Sequence, residues 1–171
     1  MAVSTRIAVI AVGDRSRHDA GIGPAVLARL RERAAERPLP RGTALAECDG
    51  EPGRLAGLWE KAELAVVVTS AQAHRGRPGR VYRLELDEQA LRRPPGTGGP
   101  DTDPHGLAAA VELARELARL PHRLVAYAVE AADTSQGPGL SAPVAAEVGA
   151  VAGLVEEEIV RHRSVAVHGG A

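Results

Sequence analysis

Two hydrophobic periods alternate along the 171-residue chain. Short runs that are wholly apolar or strictly alternating are separated by longer stretches with apolar residues three and four apart. That pattern predicts a layered α/β domain. Ile7–Val12 (IAVIAV) is apolar at every position, as a central strand covered on both faces must be. Pro24 suits the first turn of a helix running to about Arg37, with Val26, Leu27, Leu30 and Ala34 on one face. Pro38-Leu39-Pro40 stops it. Thr43–Cys48 predicts a second strand, and Pro52–Ala62 a short helix carrying Leu55, Leu58 and Trp59 toward the core. Leu64–Thr69 (LAVVVT) is the second buried strand, whereas Val81–Leu86 (VYRLEL) alternates strictly and predicts a half-exposed strand near a sheet edge. A Pro/Gly-rich loop from Arg92 leads to a helix over Gly106–Arg119 and a strand over Leu124–Val129. The pattern closes with a helix from Pro143 to about Arg163, capped by Ser141. A single domain over residues 1–163 follows, with 164–171 expected as a disordered tail.

Composition narrows the function classes. Aromatic residues make up only 2% of the chain, with no Phe, so the core must be aliphatic and base-stacking nucleic-acid platforms are excluded. Net charge is −1, which gives no global pull toward nucleic acid. Lys61 is the single lysine among 21 basic residues, a bias that a GC-rich genome accounts for. One cysteine, Cys48, cannot form an internal disulfide, so a reducing compartment is expected. No apolar run approaches the roughly 20 residues of a membrane span, and the N-terminus has no secretory pattern. A soluble cytoplasmic protein is expected, with neither nucleic acid nor membrane as partner.

Candidate chemistry lies where α/β proteins place it, outside the carboxyl ends of the strands. The first such loop, Gly13 to Pro24, lacks both GxGxxG spacing and the GK[ST] of a phosphate loop. The second follows LAVVVT at Ser70, and the third is Asp101-Thr-Asp103-Pro-His105. Each loop carries one histidine: His18, His74 and His105. Three imidazoles at one sheet edge have the makings of a metal site; singly, each reads as a solvated loop residue. Ser70 with His105 and Asp101 or Asp103 supplies the residue types of a catalytic triad without a GxSxG elbow. Cys48 at a strand end reads as buried rather than nucleophilic. Arg75, Arg77, Arg80 and Arg83 flank the second loop, either as an anion or acidic-peptide contact or as solvated charges that discourage edge pairing.

Taken in order, five pieces resemble the hydrogenase maturation endopeptidases, the M52 peptidase family, over about residues 6–160. They are the apolar strand followed by Gly13-Asp14-Arg15-Ser16-Arg17-His18-Asp19-Ala20-Gly21-Ile22-Gly23-Pro24; Val66–Ala71 leading to Pro78-Gly79-Arg80-Val81; Asp103-Pro104-His105-Gly106-Leu107; Glu130-Ala131-Ala132-Asp133; and Gly139-Leu140-Ser141-Ala142-Pro143-Val144. The resemblance implies a three-layer α/β/α domain on a mostly parallel, doubly wound sheet. It also implies an endopeptidase that removes the C-terminal extension of a [NiFe] hydrogenase large subunit once the metal centre is assembled. Three pocket residues would sense the nickel: an acid in the first loop, an Asp in the second and a His in the third.

Those positions are occupied here by Ala20, Ser70 and His105. Ala has no ligand atom and a neutral hydroxyl is a poor ligand, so no tightly bound metal of the protein's own is expected, and nickel enters only with the substrate. A non-catalytic binding homologue is one expectation. The others are an active endopeptidase with a site rebuilt around His105 from Asp19, His18, His74, Asp101 or Asp103, and a small-molecule or anion binder that reuses the crevice.

Overall fold

The computed structural model describes residues 6–71, 76–86 and 107–168. Five strands, β1 (Ile7–Val12), β2 (Thr43–Cys48), β3 (Leu64–Ala71), β4 (Val81–Leu86) and β5 (Arg123–Glu130), form one sheet in the order β2-β1-β3-β5-β4. All neighbours pair in parallel except β4 and β5. The α-helices are α1 (Ile22–Glu36), α2 (Pro52–Trp59), α3 (Leu107–Glu116), a single turn α4 (Ala142–Ala145) and α5 (Val148–His168), with a 3₁₀ turn at His18–Gly21. This is the expected three-layer α/β/α arrangement.

Strand alternation divides the core in two. On one face Ile22, Val26, Leu27 and Leu30 of α1 and Val151, Val155 and Ile159 of α5 cover Val9, Val66, Val125 and their same-face neighbours. On the other, α2 and α3 pack over Ala8, Ile10, Ala65, Val67, Leu124 and Ala126. Small alanines on that second face make room for Trp59, which is fully buried there. The shortage of aromatics is thus met by branched aliphatics with Tyr127 on one side and by Trp59 among alanines on the other. Among the described residues no helix is long and apolar enough to cross a membrane.

Several helix ends differ from expectation. α2 stops at Trp59 rather than Ala62 because Lys61 adopts a left-handed φ of 62°, and α3 stops at Glu116 rather than Arg119, with Ala118 at φ 53°. No residue type signals either reversal, since both positions lack the usual Gly. The helix expected from Pro143 is interrupted after α4, and α5 then continues through His168, so residues 164–168 are helical rather than a tail. Ser141 precedes α4 without capping it. Its side chain has another partner, described below.

At the edge, β4 is tied to α5 by charge. Arg83 donates from Nε to Glu158 at 2.7 Å, and the buried Glu158 also accepts from the Tyr127 hydroxyl at 2.7 Å. Burial, with Glu158 beside it, pushes the Tyr127 phenol up to about 12. Arg83 is therefore a structural ion-pair residue and not part of an open anion surface.

The start of α1 lies directly on the crevice end of the sheet. A Cβ added at Gly23 would sit 2.7 Å from the carbonyl oxygens of both Val12 and Val68. Backbone cannot yield there as a side chain can. Gly23→Ala should destabilise the protein by about 1–3 kcal/mol, the usual cost of overpacking, measured as a lowered urea midpoint. An unchanged midpoint would show that α1 is free to shift away from the strands.

Candidate functional site

Four segments meet at the carboxyl edge of β1, β3 and β5, and the segment leaving β5 is their common support. The β1–α1 loop is shaped locally by Asp14, whose carboxylate accepts from the Ser16 N–H at 2.8 Å and the Ser16 hydroxyl at 2.6 Å. It is then fastened to the β5 exit. The N–H groups of His18 and Asp19 donate to the carbonyls of Gly137 and Asp133 at 2.8 and 2.9 Å, and Gly137 N–H returns a bond to Ser16 at 2.8 Å. Arg17 Nε donates to the Thr134 carbonyl at 3.2 Å.

Asp19 completes this junction. It is fully buried, and among the described residues no cation pairs with it. Its Oδ1 accepts from Ser141 N–H at 2.7 Å. Its Oδ2 accepts from Ala132 N–H at 2.8 Å, Asp133 N–H at 3.1 Å and the Ser141 hydroxyl at 2.8 Å. Four donors thus meet this carboxylate, three of them on Oδ2 and one on Oδ1. Burial alone would raise its pKa, but the bonds from Ser141, Asp133 and Ala132 outweigh burial and hold the carboxyl below the ordinary Asp value. Asp19 acts as a clip between two loops; both of its oxygens are already engaged by N–H or O–H donors and the side chain is fully buried.

Ala20 and Ser70 are both buried, on the 3₁₀ turn and at the end of β3 that packs against it. The crevice positions that the family resemblance assigns to an acid and an Asp therefore present a methyl group and a hydroxyl. His105, His74, Asp101, Asp103 and Arg75 lie outside the described residues. The Ser70, His105 and Asp101 or Asp103 arrangement lies outside them with its His and Asp. Among the described residues no group of three His, Cys, Asp or Glu side chains could hold a metal ion.

His18 is engaged locally. Its backbone takes a left-handed φ of 44°, its Nδ1 lies 3.0 Å from the Gly139 carbonyl, and its Nε2 is 4.0 Å from an Asp133 carboxylate oxygen. The ring lies so close over Gly137 that a Cβ there would be 2.3 Å from Nε2. With Arg15, Pro24, Ala25 and Leu140 it borders a shallow, largely apolar groove of about 250 Å³ beside α1. Cys48 is buried as expected, its sulfur 3.4 Å from the Gly50 N–H.

One group escaped the sequence reading of function. Glu130 at the end of β5 is 2% exposed, yet its Oε2 accepts the Arg77 N–H at 2.6 Å and its Oε1 lies 3.4 Å from the Tyr82 hydroxyl. Its main chain joins the same turn, accepting from Gly79 N–H and donating to the Arg80 carbonyl, each at 2.8 Å. The available signal was a carboxylate ending an otherwise apolar strand, RLVAYAVE. Arg77 and Arg80 themselves are exposed, and the Arg80 guanidinium lies 5.1 Å from the centroid of the Tyr82 ring.

No family model and no curated protein matches the sequence. Solved structures do match the fold. The hydrogenase maturating endopeptidase HybD from E. coli superposes with a TM-score of 0.69 at 20% identity, covering 88% of this chain and 89% of that one. The [NiFe] hydrogenase maturation protease HybD from Thermococcus kodakarensis gives 0.63 at 21% identity, over 90% and 99% of the two chains. HycI from Thermococcus kodakarensis KOD1, also a [NiFe] hydrogenase maturation protease, gives 0.57 at 18% identity, over 91% and 93%. The chain has the fold of the hydrogenase maturation proteases.

Asp19→Asn should cost about 3 kcal/mol at pH 7, because an amide group must then face four donors in a buried site. The sign of the pH dependence follows from the lowered pKa. Stability supplied by ionised Asp19 is fully present above the unfolded value near 4 and is lost as pH falls through the lower folded value. Urea unfolding of both proteins should show a gap that narrows below about pH 4. A gap independent of pH would show that the carboxylate's charge is not what holds the loops.

Proposed function

We propose that this chain is a hydrogenase maturation protease-like protein that recognises the large subunit of a [NiFe] hydrogenase without cleaving it. The fold supports the class of partner, and four of the five sequence pieces that resemble the family lie, among the described residues, in chain order around one sheet edge. The observation that carries the non-cleaving half of the reading is that the buried residues Ala20 and Ser70 offer no carboxylate, while the adjacent Asp19 is engaged by four backbone and hydroxyl donors.

The chemistry follows from the ligand set. Nickel belongs to the substrate, and a pocket with two carboxylates and an imidazole suits a first-row divalent ion, which then polarises a carbonyl or a water. With Ala20 and Ser70 in place, His105 is the one of the three positions assigned by the family resemblance that keeps a good ligand for that ion. One neutral imidazole contributes a weak contact and no compensating charge. A site relocated onto Asp19 is disfavoured, since removing Asp19 from its four donors would release the loop that carries Ala20. On this reading the protein has no resident metal, works in a reducing compartment, and keeps the docking scaffold after losing the sensing carboxylates.

Nickel titration of the wild type beside an Ala20→Glu, Ser70→Asp double variant tests the reading. The variant should bind at least about tenfold tighter, a modest return for two restored carboxylates, while circular dichroism confirms that it folds. Tight binding by the wild type, abolished by His105→Ala, would overturn the degraded pocket.

A further inference from the structure

Arg77-Pro78-Gly79-Arg80 forms a β-turn closed by a hydrogen bond from Arg80 N–H to the Arg77 carbonyl at 3.2 Å. Pro occupies the second position and Gly the third, at a φ of 89°, the residue chemistry of a type II turn. A β-turn brings its first and fourth Cα atoms within about 7 Å. Both of those residues here are exposed arginines, and among the described residues no carboxylate pairs with either guanidinium. Arg15, Arg29, Arg33, Arg54, Arg83 and Arg123 by contrast each meet a Glu or Asp within 4.0 Å, and the other arginines without a carboxylate, such as Arg17 and Arg163, are not paired on one turn.

The turn is held from below on three sides. Buried Glu130 binds it through its carboxylate at Arg77 N–H and through both main-chain groups, at Gly79 and Arg80. On its far side Gly79 abuts Pro143, where an added Cβ would stand 2.6 Å from the carbonyl oxygen. Tyr82 covers one face of the Arg80 guanidinium. Two planar cationic forks are thus carried on a turn whose backbone is fixed, and one of them rests against an aromatic face. Guanidinium forks match carboxylates two bonds at a time, and a rigid platform lowers the ordering cost of binding.

We propose that the Arg77–Arg80 turn is a clamp for the carboxylates of an acidic peptide segment presented by a protein partner at the rim of the crevice. The adjoining strand ends place it there: Glu130 pairs with Ala71 in the sheet, directly after Ser70. The clamp's chemistry is independent of which protein presents the peptide, so it survives if a hydrogenase large subunit is not the partner.

The test is fluorescence polarisation at low ionic strength with a short labelled peptide of alternating Glu and Gly, beside its Gln and Gly counterpart. The wild type should bind the Glu peptide and not the Gln peptide. Arg77→Ala with Arg80→Ala should weaken binding roughly tenfold, as expected for two exposed charge pairs, and Arg29→Ala should leave it unchanged. Gly79→Ala keeps both charges but displaces the turn from Pro143, and should weaken binding several-fold. Inorganic phosphate should displace the peptide no better than chloride at equal ionic strength. Equal binding by the double variant, equal binding of the Gln peptide, or full affinity in Gly79→Ala would each overturn the clamp. Selective displacement by phosphate would overturn the peptide assignment in favour of a free-anion site.

Discussion

Among the described residues, the loop after β1 and the turn before β4 both hang from the segment that ends β5, and buried carboxylates are the hooks. Asp19 reaches in from the first loop and takes the N–H groups of Ala132, Asp133 and Ser141 together with the Ser141 hydroxyl. Glu130, at the start of the same segment, takes the Arg77 N–H from the second loop. For Asp19 these bonds outweigh burial and hold the carboxyl below the ordinary Asp value, and bonds to a carboxylate are stronger than neutral ones. In a domain whose core is aliphatic and almost without aromatic rings, these polar anchors fix what apolar packing leaves free. They settle where the strand-end loops sit, and so what shape the crevice has.

The same anchoring explains a division of labour among the acids at this edge. Asp19 and Glu130 are held in scaffolding, Asp14 and Asp133 shape their own turns through Ser16 and Ser135, and the buried positions Ala20 and Ser70 carry no acid. Among the described residues of the second loop, Arg77 and Arg80 face outward. A surface of this kind suits contact with a partner better than metal chemistry, which is why the fold's likeness to proteases and the proposed loss of cleavage are compatible.

The sequence pattern made the architecture legible because buried parallel strands leave a strong mark. IAVIAV, LAVVVT and LVAYAV admit little besides a covered sheet, and the alternation of VYRLEL matches the antiparallel edge position of β4. Helix ends were harder, since Lys61 and Ala118 reverse the chain without a glycine to announce it. The site was half legible. Burial of Cys48 followed from its strand end, but Asp19 read as a spare ligand because a carboxylate has the same chemistry whether it faces a metal or an N–H. Only the approach of residues 132–141, more than a hundred positions away in the chain, settles which it meets. Ser141 was misread for the same reason: a serine before a helix usually caps it, whereas here its hydroxyl turns to Asp19. Glu130 looked like an ordinary strand-end acid until its burial and its grip on the Arg77–Arg80 turn were visible.

Intact-mass measurement of a nickel-loaded hydrogenase large subunit before and after incubation with this protein tests the central claim most directly. The account predicts a complex that forms on size exclusion while the large subunit keeps its full mass. Specific loss of the C-terminal extension, dependent on His105, would contradict it.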